Sequence, residues 1–134
     1  MIKKFLAFTI FIFAVGLMFG QSRYSSGNCY FYNYDSSSDS YKLYDFLETA
    51  TTFVVDEKDS VITISTAAAK NIYKIKGKEV KQEENKTLYV VTFSNNSHYI
   101  IIFNLKDSLI NVINQSGFSS QMVVYDISKY WEDE

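Results

Sequence analysis

The chain contains no proline, one cysteine (Cys29), one histidine (His98) and one arginine (Arg23) among its 134 residues. A single cysteine excludes an intramolecular disulfide. One histidine and one cysteine cannot assemble a zinc cluster from soft ligands, and no cofactor is implied. Lys and Arg number 13 against 15 acids, with no basic cluster, which argues against a nucleic-acid footprint. The five glycines include no glycine-rich phosphate loop. No period of 20 to 50 residues recurs, so a solenoid is excluded. The tract Asp35–Asp39, with its serines, lacks the acidic repeat, glycine and distal glutamate of a calcium loop and reads as a solvated turn.

What is present begins with a leader. Lys3 and Lys4 precede an apolar run from Phe5 to Phe19, which ends at small residues near "FGQ". This is the pattern of a secretory signal peptide over residues 1–20, leaving Gln21 as the new terminus. The apolar run is shorter than the roughly 20 residues of a spanning helix, so an uncleaved anchor is the lesser alternative. Cleavage leaves 114 residues, one domain over 21–134, with 11 basic residues against 15 acids. The expected location is therefore outside the cytoplasm: periplasm, cell surface or extracellular space. Cys29 is not a lipid anchor, because Ser26, Gly27 and Asn28 precede it instead of the leucine-led signature directly after the apolar run. It reads as a small, half-buried strand residue.

The remainder divides into an aromatic and Ser/Asp-rich segment, 21–50, and a clearer β-meander, 51–134. "TTFVVD-EKD-SVITIST" and "TLYVVTF-SNNS-HYIIIFNL" are hairpins of β-branched and aromatic runs around polar turns. "NIYKIKGKEVKQ" alternates Tyr73 and Ile75 with Lys74 and Lys76, and Gly77 is expected to make a tight turn. "LINVIN" reads as a strand with a helical alternative, while "YKLYDFLETA" fits either periodicity. The expected fold is all-β, an antiparallel meander of about six to eight short strands curled into a small barrel or a two-layer sandwich, with room for one short helix. The lysines of residues 73–86 cannot supply a lipid-facing band, so no stable membrane insertion is expected after cleavage.

Aromatic residues make up 17% of the chain. Tyr30, Tyr32 and Tyr34 alternate along one predicted strand face and are the candidate ligand-binding residues, against the plainer reading of tyrosine as strand filler. No catalytic set is recognisable. His98, just after a turn at the edge of a strand, reads as a surface residue, and the acids Asp56, Glu57, Asp59, Glu83, Glu84 and Asp107 fall in turns. With its "FGQ" boundary and hairpins such as "TTFVVDEKDSVITIST", the chain resembles small uncharacterised exported β-rich proteins of Gram-negative bacteria. That resemblance implies compartment and fold and brings no activity or site residue. The leading expectation is an exported, non-catalytic module that binds a small ligand or a protein. The alternatives are a small secreted hydrolase using turn carboxylates, and a secreted inhibitor or adhesion component working through an edge strand. The leader makes a direct prediction: protein purified from its own host has a mass beginning at Gln21 without lipid, whereas a full-length mass would restore the anchor.

Overall fold

The structure, a computed structural model, describes residues 21–94, 97–115 and 121–133. The expected signal peptide lies outside the described residues, as do Asn95 and Asn96 of the "SNNS" turn. Among the described residues nine strands follow one another: β1 (Gln21–Asp35), β2 (Ser40–Asp56), β3 (Val61–Ser65), β4 (Lys70–Lys81), β5 (Lys86–Phe93), β6 (Ser97–Asn104), β7 (Leu109–Asn114), β8 (Gln121–Asp126) and β9 (Lys129–Asp133). Gln82–Glu84 forms a 3-10 turn between β4 and β5. "LINVIN" and "YKLYDFLETA" are both strand.

Local chemistry sets the turns. Asp35, Asp56 and Asn104 each end a strand and accept a backbone N–H from two or three residues onward, at Ser37, Asp59 and Asp107 (3.0–3.1 Å). Three turns then close on a residue with positive φ, namely Asp39 (52°), Ser60 (56°) and Ser108 (56°), and Asn85 (52°) does the same after the 3-10 turn. Side chains that bond their own backbone make such turns and tolerate left-handed geometry at modest cost. Gly77 does not make the tight turn expected of it. β4 continues through it to Lys81, and Gly77 instead follows a one-residue irregularity between Ile75 and Gly77 in the pairing with β5. A bulge takes up the extra residue and keeps the strand going, so the chain has one long strand there.

Consecutive strands pair antiparallel from β1 to β8, and β1 then pairs with β8, which closes an eight-stranded barrel. β9 is the extra strand. It lies on the same edge of β1 as β8, with β8 opposite Cys29–Asn33 and β9 opposite Gln21–Ser25. Between the two, β1 itself is irregular from Ser26 to Asn28. Asp126 pins that bend by accepting from the Ser26 hydroxyl (3.2 Å), the Asn28 backbone N–H (3.3 Å) and the Asn28 amide (2.7 Å). Ser128 restarts the ladder by donating its N–H to the Ser25 carbonyl at 2.7 Å.

The period-two pattern turns one face of each strand inward. Phe53, Ile62, Val91, Ile101 and Ile110 are completely buried, and Phe103 is nearly so. Phe53 is central, with Tyr125 at 4.8 Å and Phe103 at 6.3 Å between ring centres, both edge-on. Tyr24, Tyr73 and Tyr89 complete the cluster, and burial, followed by Tyr99, pushes the Tyr73 hydroxyl up to about 12. An eight-stranded barrel is just wide enough for side chains to fill it or for one small ligand. Here side chains fill it. Replacing Phe53 with alanine is expected to destabilise the domain by about 3–5 kcal/mol. Denaturant unfolding measures this, and a loss below about 1 kcal/mol would mean the interior is not packed as described.

Candidate functional site

Because β3 is only five residues long, it bonds β2 only over Thr52–Asp56. The preceding stretch of β2, Ser40–Ala50, is therefore paired with β1 on one side and with no described strand on the other. Four of the most exposed large apolar residues fall in that stretch: Leu43 (54%), Tyr44 (55%), Phe46 (46%) and Leu47 (51%). A run of exposed apolar side chains on an unpaired strand edge is uncommon in a monomer and marks either a binding surface or an aggregation hazard.

The three candidate tyrosines border this edge. Cys29 faces the core, so Tyr30, Tyr32 and Tyr34 lie on the outer face of β1. Their cross-strand partners in β2 are Phe46, Leu43 and Tyr41. Tyr30 packs on Phe46 with ring centres 5.0 Å apart, and Tyr34 meets Tyr41 edge-on at 5.5 Å. Tyr34 also donates a hydrogen bond to Asp39 in the turn. The arrangement is a ladder of rings on the outside of the wall. These rings face away from the barrel interior and its core.

Asp45 modifies the edge. Its carboxylate accepts the backbone N–H of Phe46 at 2.8 Å, a group that would otherwise be offered to a neighbouring strand. Pairing irregularities opposite Ser26–Asn28 and Phe31–Tyr32 also bend β2, and Tyr44 falls between register positions, its ring lying 6.2 Å from that of Phe31. Such features restrain indiscriminate edge pairing. β4 has a second open edge beyond Lys74, where it bonds β5 alone, but Lys76, Lys78 and Lys81 line it. Lysines dominate that edge, with Val80 exposed among them, and a longer run of exposed apolar residues distinguishes the edge of β2.

The catalytic alternatives find less support in the geometry. Cys29 is buried, and burial followed by Asp45 and Asp126 pushes its thiol up, away from the thiolate a nucleophile needs. His98 is exposed on β6, on the opposite side of the wall from the inward-facing Cys29. Asp56, Glu57, Asp59, Glu83, Glu84 and Asp107 do share one rim, because the β2–β3, β4–β5 and β6–β7 turns all lie at that end. Several are tied individually, however. Asp56 holds the Asp59 N–H, Asp107 accepts from the Asn104 amide, and Glu84 pairs with Lys86. Beside them, an open depression of about 530 Å³ is lined by Val80, Lys81, Gln82, Glu83 and Glu84. Among the described residues no group of three or more His, Cys, Asp or Glu side chains is placed to hold a metal ion.

Among these rim acids Glu57 binds both a lysine and a tyrosine. It receives Lys78 at 2.7 Å and the Tyr89 hydroxyl at 2.6 Å. Burial pulls its carboxyl upward, but Lys78 and Tyr89 together outweigh this and hold it below the usual carboxylate range. Burial and the bond to Glu57 push the Tyr89 hydroxyl up in turn. This trio closes the rim above the core. No protein-family model, curated protein or solved structure matches the chain.

A carboxyl with a lowered folded-state pKa stabilises above its unfolded value and loses that contribution as pH falls through the folded one. Glu57→Gln is therefore expected to cost roughly 0.5–1 kcal/mol at pH 7, small because the Lys78 pair is largely solvent-screened. The difference from the parent should narrow below about pH 4. Urea midpoints across pH measure it, and a constant difference would remove Glu57 from the account.

Proposed function

We propose that this protein is an exported, non-catalytic interaction module that takes an extended polypeptide segment onto the open edge of β2. The observation that carries this reading is the unpaired Ser40–Ala50 edge with Leu43, Tyr44, Phe46 and Leu47 exposed along it. An added strand supplies main-chain hydrogen bonds for affinity, while side chains on alternate positions supply selectivity. The outer ladder of Tyr30, Tyr32 and Tyr34 forms the wall against which every second side chain of such a segment would lie. Export rests on the leader. A water-facing barrel suits the five- and six-residue strands β3, β7 and β8, which fall short of the roughly nine to eleven residues of a membrane-spanning strand. Small-ligand carriage and hydrolysis are both less favoured, the first because core side chains fill the barrel and the second because the rim acids are tied.

Site-specific photocrosslinking in the native host tests the reading. A photoreactive residue in place of Phe46 should capture a polypeptide, and one in place of Thr63, on the doubly paired strand β3, should not. Adding Leu47→Glu should abolish capture without changing the circular dichroism spectrum. Equal labelling from both positions, or none from Phe46, would refute an edge-strand function.

A further inference from the structure

Cleavage of the leader after Gly20 makes Gln21 the first residue and gives it a free α-amine. A glutamine in that place carries a nucleophile and an amide carbonyl on one residue, spaced to close a five-membered lactam. Resting on the leader and independent of the edge-strand reading, we propose that Gln21 of the mature protein is converted to pyroglutamate, and that Arg23 and Asp56 of the folded chain promote the conversion.

The fold gathers the three residues. Tyr24 and Val55 face the core, so Gln21 and Arg23 on β1 and Asp56 on β2 lie on the outer face of the wall. Gln21 and Asp56 stand directly opposite each other in the β1–β2 ladder, at the other end of β2 from Ser40–Ala50. The Arg23 guanidinium donates to the Gln21 side-chain carbonyl oxygen at 3.3 Å. The Gln21 amide nitrogen donates to one Asp56 carboxylate oxygen at 3.4 Å. The other Asp56 oxygen accepts the Asp59 N–H at 3.1 Å, which holds the carboxylate in place. A cation therefore lies on the atom that becomes negative when the amide is attacked, and a carboxylate lies on the atom that must leave.

The step balances without a cofactor. The neutral α-amine attacks the side-chain carbonyl carbon, which forms the new C–N bond and puts negative charge on the oxygen beside Arg23. Asp56 takes a proton from the attacking nitrogen and gives it to the amide nitrogen. The old C–N bond then breaks, ammonia leaves, and the carbonyl re-forms in the lactam. Holding amine and amide in one residue makes the reaction unimolecular. The product has no α-ammonium, so the mature chain loses one positive charge and offers no free amine to an aminopeptidase.

Intact mass spectrometry of the protein purified from its own host detects the product. The expected mass begins at Gln21 and is lower by one ammonia. A mass that begins at Gln21 without that loss, or at a neighbouring residue, overturns the proposal and leaves the leader reading standing, whereas a full-length mass overturns both. A rate measurement tests the part played by the fold. Mature chain released from a cleavable N-terminal fusion starts with an uncyclised Gln21, and its loss of ammonia at neutral pH is followed with time. Arg23→Ala and Asp56→Asn should each slow that loss by about tenfold or more. Arg23→Lys should restore part of the rate, and unfolding the parent in urea should slow it as much as the variants do. Asp56→Asn keeps an acceptor for the Asp59 N–H, and an unchanged circular dichroism spectrum controls for the fold. No loss of ammonia from the parent, or equal rates in parent, variants and unfolded chain, would overturn the role given to Arg23 and Asp56.

Discussion

The structure depends on how β1 is shared. A meander has two terminal strands, and unless they meet it exposes two full edges of unpaired backbone. Here β1 bonds β2 along one side and β8 followed by β9 along the other. It can reach both only by bending at Ser26–Asn28, and Asp126 holds that bend through three hydrogen bonds. Closure then brings the inward faces together around Phe53, Phe103 and Ile101. The arrangement has a geometric remainder, since a long β1–β2 hairpin joined to a five-residue β3 leaves half of β2 without a second neighbour. The barrel wall is complete around the core and open where the hairpin outruns it.

That division leaves the exposed apolar run on the outside of the molecule. Core side chains take the interior, and the rim acids serve turns and ion pairs. The aromatic excess splits accordingly. Tyr24, Phe53, Tyr73, Tyr89 and Phe103 build the core, while Tyr30, Tyr32, Tyr34, Tyr41 and Phe46 line the outer face of the first hairpin. The open edges of β4 and β2 differ in the same physical terms: lysines keep β4 in water, and apolar side chains are exposed along β2.

Much of the fold is legible in the sequence because hairpin formation is local. The alternation of Ile62 and Ile64 with threonine and serine, the Asp and Asn residues that start the turns, and the apolar run at Tyr99–Phe103 all report on neighbours within about ten residues. Barrel closure is not legible in this way. It rests on β1 meeting β8 and β9 about a hundred residues later, and on an acid, Asp126, whose partners lie at Ser26 and Asn28. Gly77 misleads for a related reason, since glycine suits a turn and a bulge equally and only the register with β5 distinguishes them. For the site, the shared face of Tyr30, Tyr32 and Tyr34 follows from alternation alone. The open edge does not, because it depends on the length of β3 relative to β2. A trace of it is nevertheless present in "YKLYDFLETA". Apolar residues at Leu43, Phe46 and Leu47 fit a helix, and they equally fit a bulged strand that is apolar on both faces.

Amide hydrogen exchange along β2, read residue by residue at high dilution, addresses the central claim most directly. The account predicts rapid exchange at the edge-facing amides between Lys42 and Ala50, with Phe53, Val54 and Val55 protected to the level of global unfolding. Uniform protection along the whole of β2 in the dilute protein would contradict it, because every amide of that strand would then already have a partner within the single chain.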